Sequence, residues 1–108
     1  MNSIIPGDDP HRCYLCGRVG EMVVHHAIHG TANRRLSDRY GLTVHLCTSC
    51  HGRLHDMEGH PGDAEIKRAA ENAFSIRYGH EKWMDIFGKS FLWKEDLEPE
   101  AWMNGFLD

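Results

Sequence analysis

The sequence lacks a long apolar run, an excess of positive charge and a leader-like N-terminus. Its 108 residues carry a formal net charge of −4, and no stretch is long and apolar enough to cross a bilayer. The opening segment, MNSIIPGDDPHRC, has no basic region followed by an apolar run, so we expect no signal peptide. These absences predict a cytoplasmic protein without a membrane partner. The negative charge argues against bulk electrostatic coating of nucleic acid but allows a local basic patch.

The short length predicts a single domain that needs a metal or covalent staple, because so small a chain buries only a modest share of its surface. The chain contains four cysteines and nine histidines, and most of the histidines lie between His11 and His60. In a reducing compartment, cysteines are metal ligands more often than disulfides.

The cysteines form two Cys-x2-Cys pairs, Cys13 with Cys16 and Cys47 with Cys50. Two intervening residues allow one tight turn to aim both thiolates at the same tetrahedral ion. Two such turns complete the coordination shell, so the spacing predicts a structural zinc bound by four cysteines. The alternative is a pair of redox dithiols, each of which would need its own flanking fold in a chain too short for both.

The histidines include an adjacent pair, His25-His26, and a His51-x3-His55 spacing in a segment with helical character. Residues i and i+4 lie on one face of a helix, so His51 and His55 can bind one ion together. A strand that ends at the His pair and lies across that helix would supply a further nitrogen. This pattern predicts a second, separate metal site with open positions.

The secondary-structure pattern alternates short strands with helices. We predict strands within residues 21–28 and over residues 43–46, a loop at 30–33 and one helical turn at 34–40. Thr48 or Ser49 is the expected cap of a helix through His55, and Asp63 the expected cap of a helix over residues 64–78. Another helix is predicted over 81–87. Residues 1–10 are expected to form a flexible arm, and residues 94–108 an acidic tail.

The order strand, His-His, loop, strand and Cys-x2-Cys-His-x3-His, over about residues 11–58, resembles the HNH nucleases. Two longer segments, HHAIHGTANRRLSDRYGLTVHLC and RYGHEKWMDIFGKSFL, are similar to small HNH proteins of tailed phages and prophages. Related to these are the recombination-enhancing, RecA-dependent nucleases. The resemblance implies an α+β fold, a small zinc-stapled ββα-metal (treble-clef) domain with additional C-terminal helices, over residues 11–93.

The resemblance also implies a function, that of a metal-dependent endonuclease hydrolysing DNA phosphodiester bonds. His26 would be the general base that takes a proton from the attacking water. His25, His51 and His55 would hold the catalytic ion, with Mg²⁺ or Mn²⁺ expected and Zn²⁺ or Ni²⁺ as alternatives. The implied partners are DNA and a recombination protein, and a phage-encoded chain would act in the host cytoplasm.

Several supporting residues are assigned with alternatives left open. Either His25 or His26 could instead be a buried structural histidine. The family's middle Asn precedes the second cysteine pair, where this chain has Tyr40-Gly41-Leu42-Thr43, so the displaced Asn33 is the nearest candidate. Four histidines are expected to be exposed or in the core: His29, His45, His60 and His80. His45 is also considered as a residue of the cleft, because it alternates with Val44 and Leu46. Three arginines are predicted to bind substrate phosphates, or else form a solvated face: Arg34, Arg35 and Arg39.

Two rival functions remain open at this point. The first is a non-catalytic zinc module that binds DNA, for which the four histidines need not converge. The second is an adaptor that kept the zinc and lost catalysis, with the aromatic residues of the acidic tail, Trp102 and Phe106, as its interaction segment.

Overall fold

A computed structural model describes residues 2–57 and 60–92 of the chain. The described part is a small α+β fold with two strands and four helices. In chain order these are β1 (Val23–His26), α1 (Thr31–Tyr40), β2 (Thr43–Leu46), α2 (Thr48–Asp56), α3 (Pro61–Tyr78) and α4 (His80–Phe87). The predicted acidic tail at 94–108 lies outside the described residues. None of the helices in the described ranges is long and apolar enough to span a membrane.

The two strands pair antiparallel, as the apolar and β-branched residues of both segments predict. His25 lies opposite Val44, and His26 lies opposite Thr43. Partners across a ladder share a face of the sheet. His25 and Val44 are therefore both buried, while Val24 on the other face is half exposed.

Helix α1 replaces most of the loop predicted at residues 30–33, so that expectation was wrong. The backbone N–H of Arg34 donates to the carbonyl of Gly30 at 2.8 Å, which starts the helix three residues earlier than its first arginine. Gly41 ends the helix in the left-handed conformation, with φ of 71°. A side chain at Gly41 would collide with the carbonyl of Asn2, so this position needs glycine for two reasons.

Helix α2 is capped by Cys47, which corrects the expected cap at Thr48 or Ser49. The Cys47 side chain accepts the backbone N–H of Cys50 at 3.4 Å. A sulfur thus takes the capping role that a hydroxyl usually fills, and the same residue belongs to the cysteine pair.

Helix α3 begins earlier than predicted, with His60 rather than Asp63 as its cap. Gly62 donates its N–H to His60 Nδ1 at 2.9 Å, and Pro61 occupies the first turn, where its missing donor costs nothing. Asp63 is consequently free to interact outside the helix. Helix α4 packs back on α3 through Phe74 and Trp83, whose ring centroids are 5.5 Å apart.

The segment 2–10 makes specific contacts with the domain, in contrast to the flexible arm expected from its composition. Ile5 is 3% exposed and belongs to the core. The N–H of Ile4 donates to the carbonyl of Gly41 at 2.9 Å, and the Asp8 carboxylate accepts the N–H of His45 at 2.7 Å. The burial of Ile5 and the hydrogen bond of Asp8 therefore hold this segment on the domain, although its Gly, Pro and Asp content predicted a flexible arm.

Candidate metal centres

The four cysteines converge at one point, with their sulfur atoms all within 4.8 Å of one another. Cys13 and Cys16 come from the first turn, Cys47 follows β2, and Cys50 lies in the first turn of α2. The Sγ atoms of Cys16 and Cys47 are 3.8 Å apart. Tetrahedral zinc with Zn–S bonds of ~2.3 Å requires a sulfur–sulfur separation close to this. The cluster is positioned for metal binding and is consistent with a structural metal such as zinc.

Backbone N–H groups of the two turns point at the sulfurs. Cys16 N–H lies 3.5 Å from Cys13 Sγ. Burial raises the pKa of Cys13, but N–H groups of Cys47, Cys16 and Leu15 outweigh it and bring the pKa to about 6. Burial, together with neighbouring thiols, instead raises the pKa of Cys50 to about 12. Full ionisation of the set therefore needs a cation, which fits a metal-binding role.

A second cluster joins His25, at the end of β1, to His51 and His55 on α2. Their ligand nitrogens all lie within 4.8 Å of one another. The Nε2 atoms of His51 and His55 are 3.1 Å apart, as expected for imidazoles one helical turn apart on one face. The ring centroid of His25 is 5.4 Å from that of His51. The sequence-predicted ligands are thus brought together.

His25 is the buried member of this cluster, at 2% exposed. Its Nε2 has no hydrogen-bond partner in the described part of the chain. Burial, reinforced by the neighbouring His29, His51 and His55, lowers the pKa of His25 to about 4. A neutral, orphaned imidazole nitrogen facing two others is the donor set that divalent transition ions prefer, so these residues fit a metal.

His26 lies on the opposite face of β1 and still reaches the same cleft at the end of the strand. Its Nε2 is 2.7 Å from Asp38 Oδ1 on α1. If the ring donates Nε2–H to this carboxylate, its Nδ1 is an acceptor. The sequence gives no sign of this contact, because Asp38 reaches His26 only through the packing of the full helix α1 beside β1.

His29 and Asp63 are further members of the cluster that sequence reasoning missed. His29 is exposed, as expected, whereas Asp63 does not cap α3 as predicted. His29 Nε2 lies 2.8 Å from Asp63 Oδ1, and both belong with His25 to a second group of close ligand atoms. The His25-x3-His29 spacing could have indicated His29 as a possible metal ligand. Nothing in the sequence indicates that the start of α3, with Asp63, lies beside His29.

The predicted phosphate-binding arginines separate in the structure. Arg34 lines the cleft with the histidines, whereas Arg35 is exposed outside it and Arg39 lies over the ring of Tyr40, 5.6 Å from its centroid. Asn33 donates its Nδ2–H to the carbonyl of His29 at 2.7 Å, so it braces the turn after β1. Only Arg34 of the three is placed to meet a ligand in the cleft.

His45 lies away from the histidine cleft and pairs with Asp8. Its Nδ1 is 2.8 Å from Asp8 Oδ2, in a separate depression that also includes Ser3 and Thr43. Of the two readings of His45, the one that places it in the cleft was wrong, because alternation along β2 turns it to the face opposite Val44. It anchors the N-terminal segment instead.

The histidine cleft is open and has a volume of about 470 Å³. Its walls combine the imidazoles with Thr31 and Arg34 at the start of α1. Such a space can admit a polar, extended ligand beside an ion. A comparison with protein-family models, curated proteins and solved structures finds no match for the chain.

Proposed function

We propose that the chain is a metal-dependent endonuclease of the HNH type, which hydrolyses DNA phosphodiester bonds. The observation that carries the proposal is the convergence of His25, His51 and His55 in an open cleft. A non-catalytic zinc module does not need three imidazoles whose nitrogens converge on one point. The order β1, β2, α2 also agrees with a ββα-metal, treble-clef unit in which α1 occupies the connection between the strands.

The three imidazoles would hold the catalytic ion. Nitrogen donors suit Zn²⁺ or Ni²⁺ better than Mg²⁺ or Mn²⁺, which prefer oxygen. When bound, a divalent ion stabilises the charge that develops on the phosphate and on the leaving oxygen. Burial of His25 keeps its nitrogen neutral and dry, so the ligand needs little reorganisation.

His26 is proposed as the general base. Asp38 would hold its Nε2–H at 2.7 Å, fixing the tautomer in which Nδ1 accepts a proton from water. A carboxylate that orients a catalytic imidazole also stabilises the cation formed when the proton arrives. Because adjacent residues of a strand point to opposite faces, His26 lies at the rim of the cleft while His25 is buried.

Arg34 is proposed to hold a substrate phosphate at the mouth of the cleft. It is exposed and lines the cleft, at the N-terminal end of α1. A single guanidinium suits a protein of net charge −4, in which binding is local rather than spread over the surface. Phage origin, cytoplasmic location and a recombination partner stay predictions from the resemblance.

Plasmid nicking tests this function directly. The zinc-loaded chain is incubated with supercoiled DNA and Mg²⁺, Mn²⁺, Zn²⁺ or Ni²⁺ in turn, beside His26→Ala and His51→Ala. We expect nicking by the wild type with at least one ion, and loss of ~10²–10⁴-fold in rate for His26→Ala. His26→Ala should retain its metal, whereas His51→Ala should lose it.

Two outcomes would count against the proposal. Absence of nicking with every ion, while the cleft binds metal, would favour the non-catalytic module or adaptor. Equal nicking by the wild type and His26→Ala would show that His26 is not the general base. His29, which also lies in the cleft and has a carboxylate partner, would then be the next candidate.

A further inference from the structure

The segment that follows α4 is fixed on α3 by a buried carboxylate. Glu71 is fully buried, and its carboxylate accepts the hydroxyl of Ser90 at 2.5 Å and the backbone N–H of Phe91 at 2.6 Å. His80 Nε2 lies 2.7 Å from the same carboxylate. Neither metal cluster uses this network. Its effect is to hold residues 88–92, the end of the described chain, at a defined place on α3.

The chain from α4 onwards follows α3 towards the N-terminal end of that helix. Trp83 packs on Phe74, with ring centroids 5.5 Å apart. The Phe91 ring lies 5.2 Å from the Lys67 ammonium, about two helical turns nearer the start of α3. The order of these contacts gives the direction in which the chain leaves the described range.

The start of α3 borders the histidine cleft. Lys67 lies 2.8 Å from Asp63, one turn earlier in the helix, and Asp63 lies 2.8 Å from His29, which lines the cleft. Four helical residues span ~6 Å, and an extended chain covers ~3.3 Å per residue. The residues that follow Leu92 therefore need only a short span to reach the cleft.

The residues after Leu92 carry the entire formal net charge of the protein. Residues 93–108 contain five acidic side chains and one lysine, whereas residues 1–92 contain eleven acidic and eleven basic side chains. The formal charge of −4 therefore lies in one short segment. Its acidic side chains are Glu95, Asp96, Glu98, Glu100 and Asp108.

The cleft offers charge of the opposite sign. Arg34 and five imidazoles line it, and no carboxylate is among its lining residues within the ranges 2–57 and 60–92. The two carboxylates that approach it, Asp38 and Asp63, are each paired with an imidazole. The divalent ion proposed for the three imidazoles would add further positive charge. A carboxylate pairs with a guanidinium through charge-assisted hydrogen bonds and also binds divalent ions.

We propose that the acidic segment after Leu92 docks in the histidine cleft of its own chain, with Glu95 and Asp96 as its first anchors, and competes there with the DNA backbone. Carboxylates and phosphates are both oxyanions, so the same guanidinium and ion bind either one. The segment thus limits DNA binding until a stronger anion displaces it. The inference rests on the proposed function for the ion and for the competing ligand, whereas the docking itself is measured without DNA.

The docking is tested by ¹⁵N NMR of the full chain, saturated with Zn²⁺, in the absence of DNA. Glu95→Gln/Asp96→Asn should shift the amide signals of the first turn of α1, which lines the cleft. Glu81→Gln/Asp85→Asn is the matched control, because it removes the same charge from two exposed carboxylates of α4 that do not line the cleft. The control should leave these signals unchanged, and well-dispersed spectra show that both variants are folded.

A second readout measures the competition with DNA. A segment that occupies the cleft about nine-tenths of the time weakens DNA binding ~10-fold, because only the empty fraction can bind. Fluorescence anisotropy with a short duplex should therefore show roughly tenfold tighter binding by Glu95→Gln/Asp96→Asn than by the wild type. Glu81→Gln/Asp85→Asn should give a smaller gain, because it changes the net charge without emptying the cleft.

Unchanged signals of α1 in Glu95→Gln/Asp96→Asn would overturn the proposal, and so would equal shifts in the control. Shifts that vanish on dilution would also overturn it, because they would place the segment in the cleft of a second chain. Shifted signals without DNA nicking by any variant would refute the nuclease function and leave the docking in place. Nicking with unchanged signals would refute the docking alone.

Discussion

His26 Nε2 and Asp38 Oδ1 lie 2.7 Å apart at the rim of a cleft that gathers four further imidazoles. The carboxylate comes from α1 and the imidazole from the end of β1, so the contact ties the sheet to the helix that follows it. Asp38 is largely exposed. An exposed pair of this kind adds little stability, which favours an orienting role over a structural one.

Asp38→Asn should therefore slow DNA nicking without changing the metal content. The amide no longer stabilises the imidazolium and can select the wrong tautomer of His26. Loss of a partner that orients an imidazole typically costs ~10–100-fold. Single-turnover nicking measures it, with Asp85→Asn on α4 as a control carboxylate outside the cleft. A rate equal to the wild type would remove Asp38 from the mechanism.

His25→Leu should stabilise the zinc-loaded chain when no other divalent ion is present. The substitution removes a buried nitrogen that has no partner among residues 2–57 and 60–92, and an unsatisfied buried polar atom costs about 1–3 kcal/mol. Urea unfolding at neutral pH would show a higher midpoint, and a separate metal titration would show that the variant no longer binds an ion in the cleft. A lower midpoint would mean that the shape of the imidazole matters more to the core than its orphaned nitrogen.

The same residue should make stability depend on pH. Burial lowers the pKa of His25 from 6.5 to about 4, so between these values the unfolded chain holds a proton that the folded chain does not. Stability should fall as pH drops through this window, by at most about 1.4 kcal/mol per pH unit from this group. His25→Leu should lack this part of the slope. Parallel profiles for both proteins would contradict the assignment.

Cys47→Ser should be more damaging than its neighbour Ser49→Ala. Cys47 is buried, belongs to the cysteine cluster and caps α2, whereas Ser49 is exposed on the same turn. The first variant should lose bound zinc and much of its helical circular dichroism. Replacing zinc with Co²⁺ gives a thiolate charge-transfer band that reports the site, and an unchanged band in Cys47→Ser would exclude it as a ligand.

Arg34→Gln should weaken DNA binding more than Arg35→Gln. Both arginines are exposed on α1, but only Arg34 lines the cleft. Loss of one phosphate contact should reduce the slope of log affinity against log salt by about 1. Fluorescence anisotropy at several salt concentrations measures both variants. An equal loss of affinity in the two variants would mean that the arginines of α1 act through their combined charge.

Local spacing predicted the parts of the site that lie within one turn or one helix. Cys-x2-Cys and His51-x3-His55 each impose their geometry over a few residues, so the cysteine cluster and the helical pair were predicted correctly. The strands were predicted as well, because both segments are rich in apolar and β-branched residues.

Contacts between distant elements were beyond this reasoning. Asp63 reaches His29 only because α3 starts two residues before the expected cap, at Pro61. Ile4 and Asp8 hold the N-terminal segment on the domain through hydrogen bonds to Gly41 and His45, more than thirty residues later in the chain. Such pairings depend on how elements pack, which periodicity along one segment does not encode.

Cys47 links the cysteine cluster to the histidine cluster, because it belongs to the first and caps α2, which carries His51 and His55. His51 follows one turn later, with its N–H bonded to the carbonyl of Cys47. A newly made chain that has not yet acquired zinc would have no fixed start to this helix, and so no aligned imidazoles. On the proposed function, hydrolytic capacity would then appear only after maturation, and cellular zinc supply would set how much of the protein becomes competent to cut.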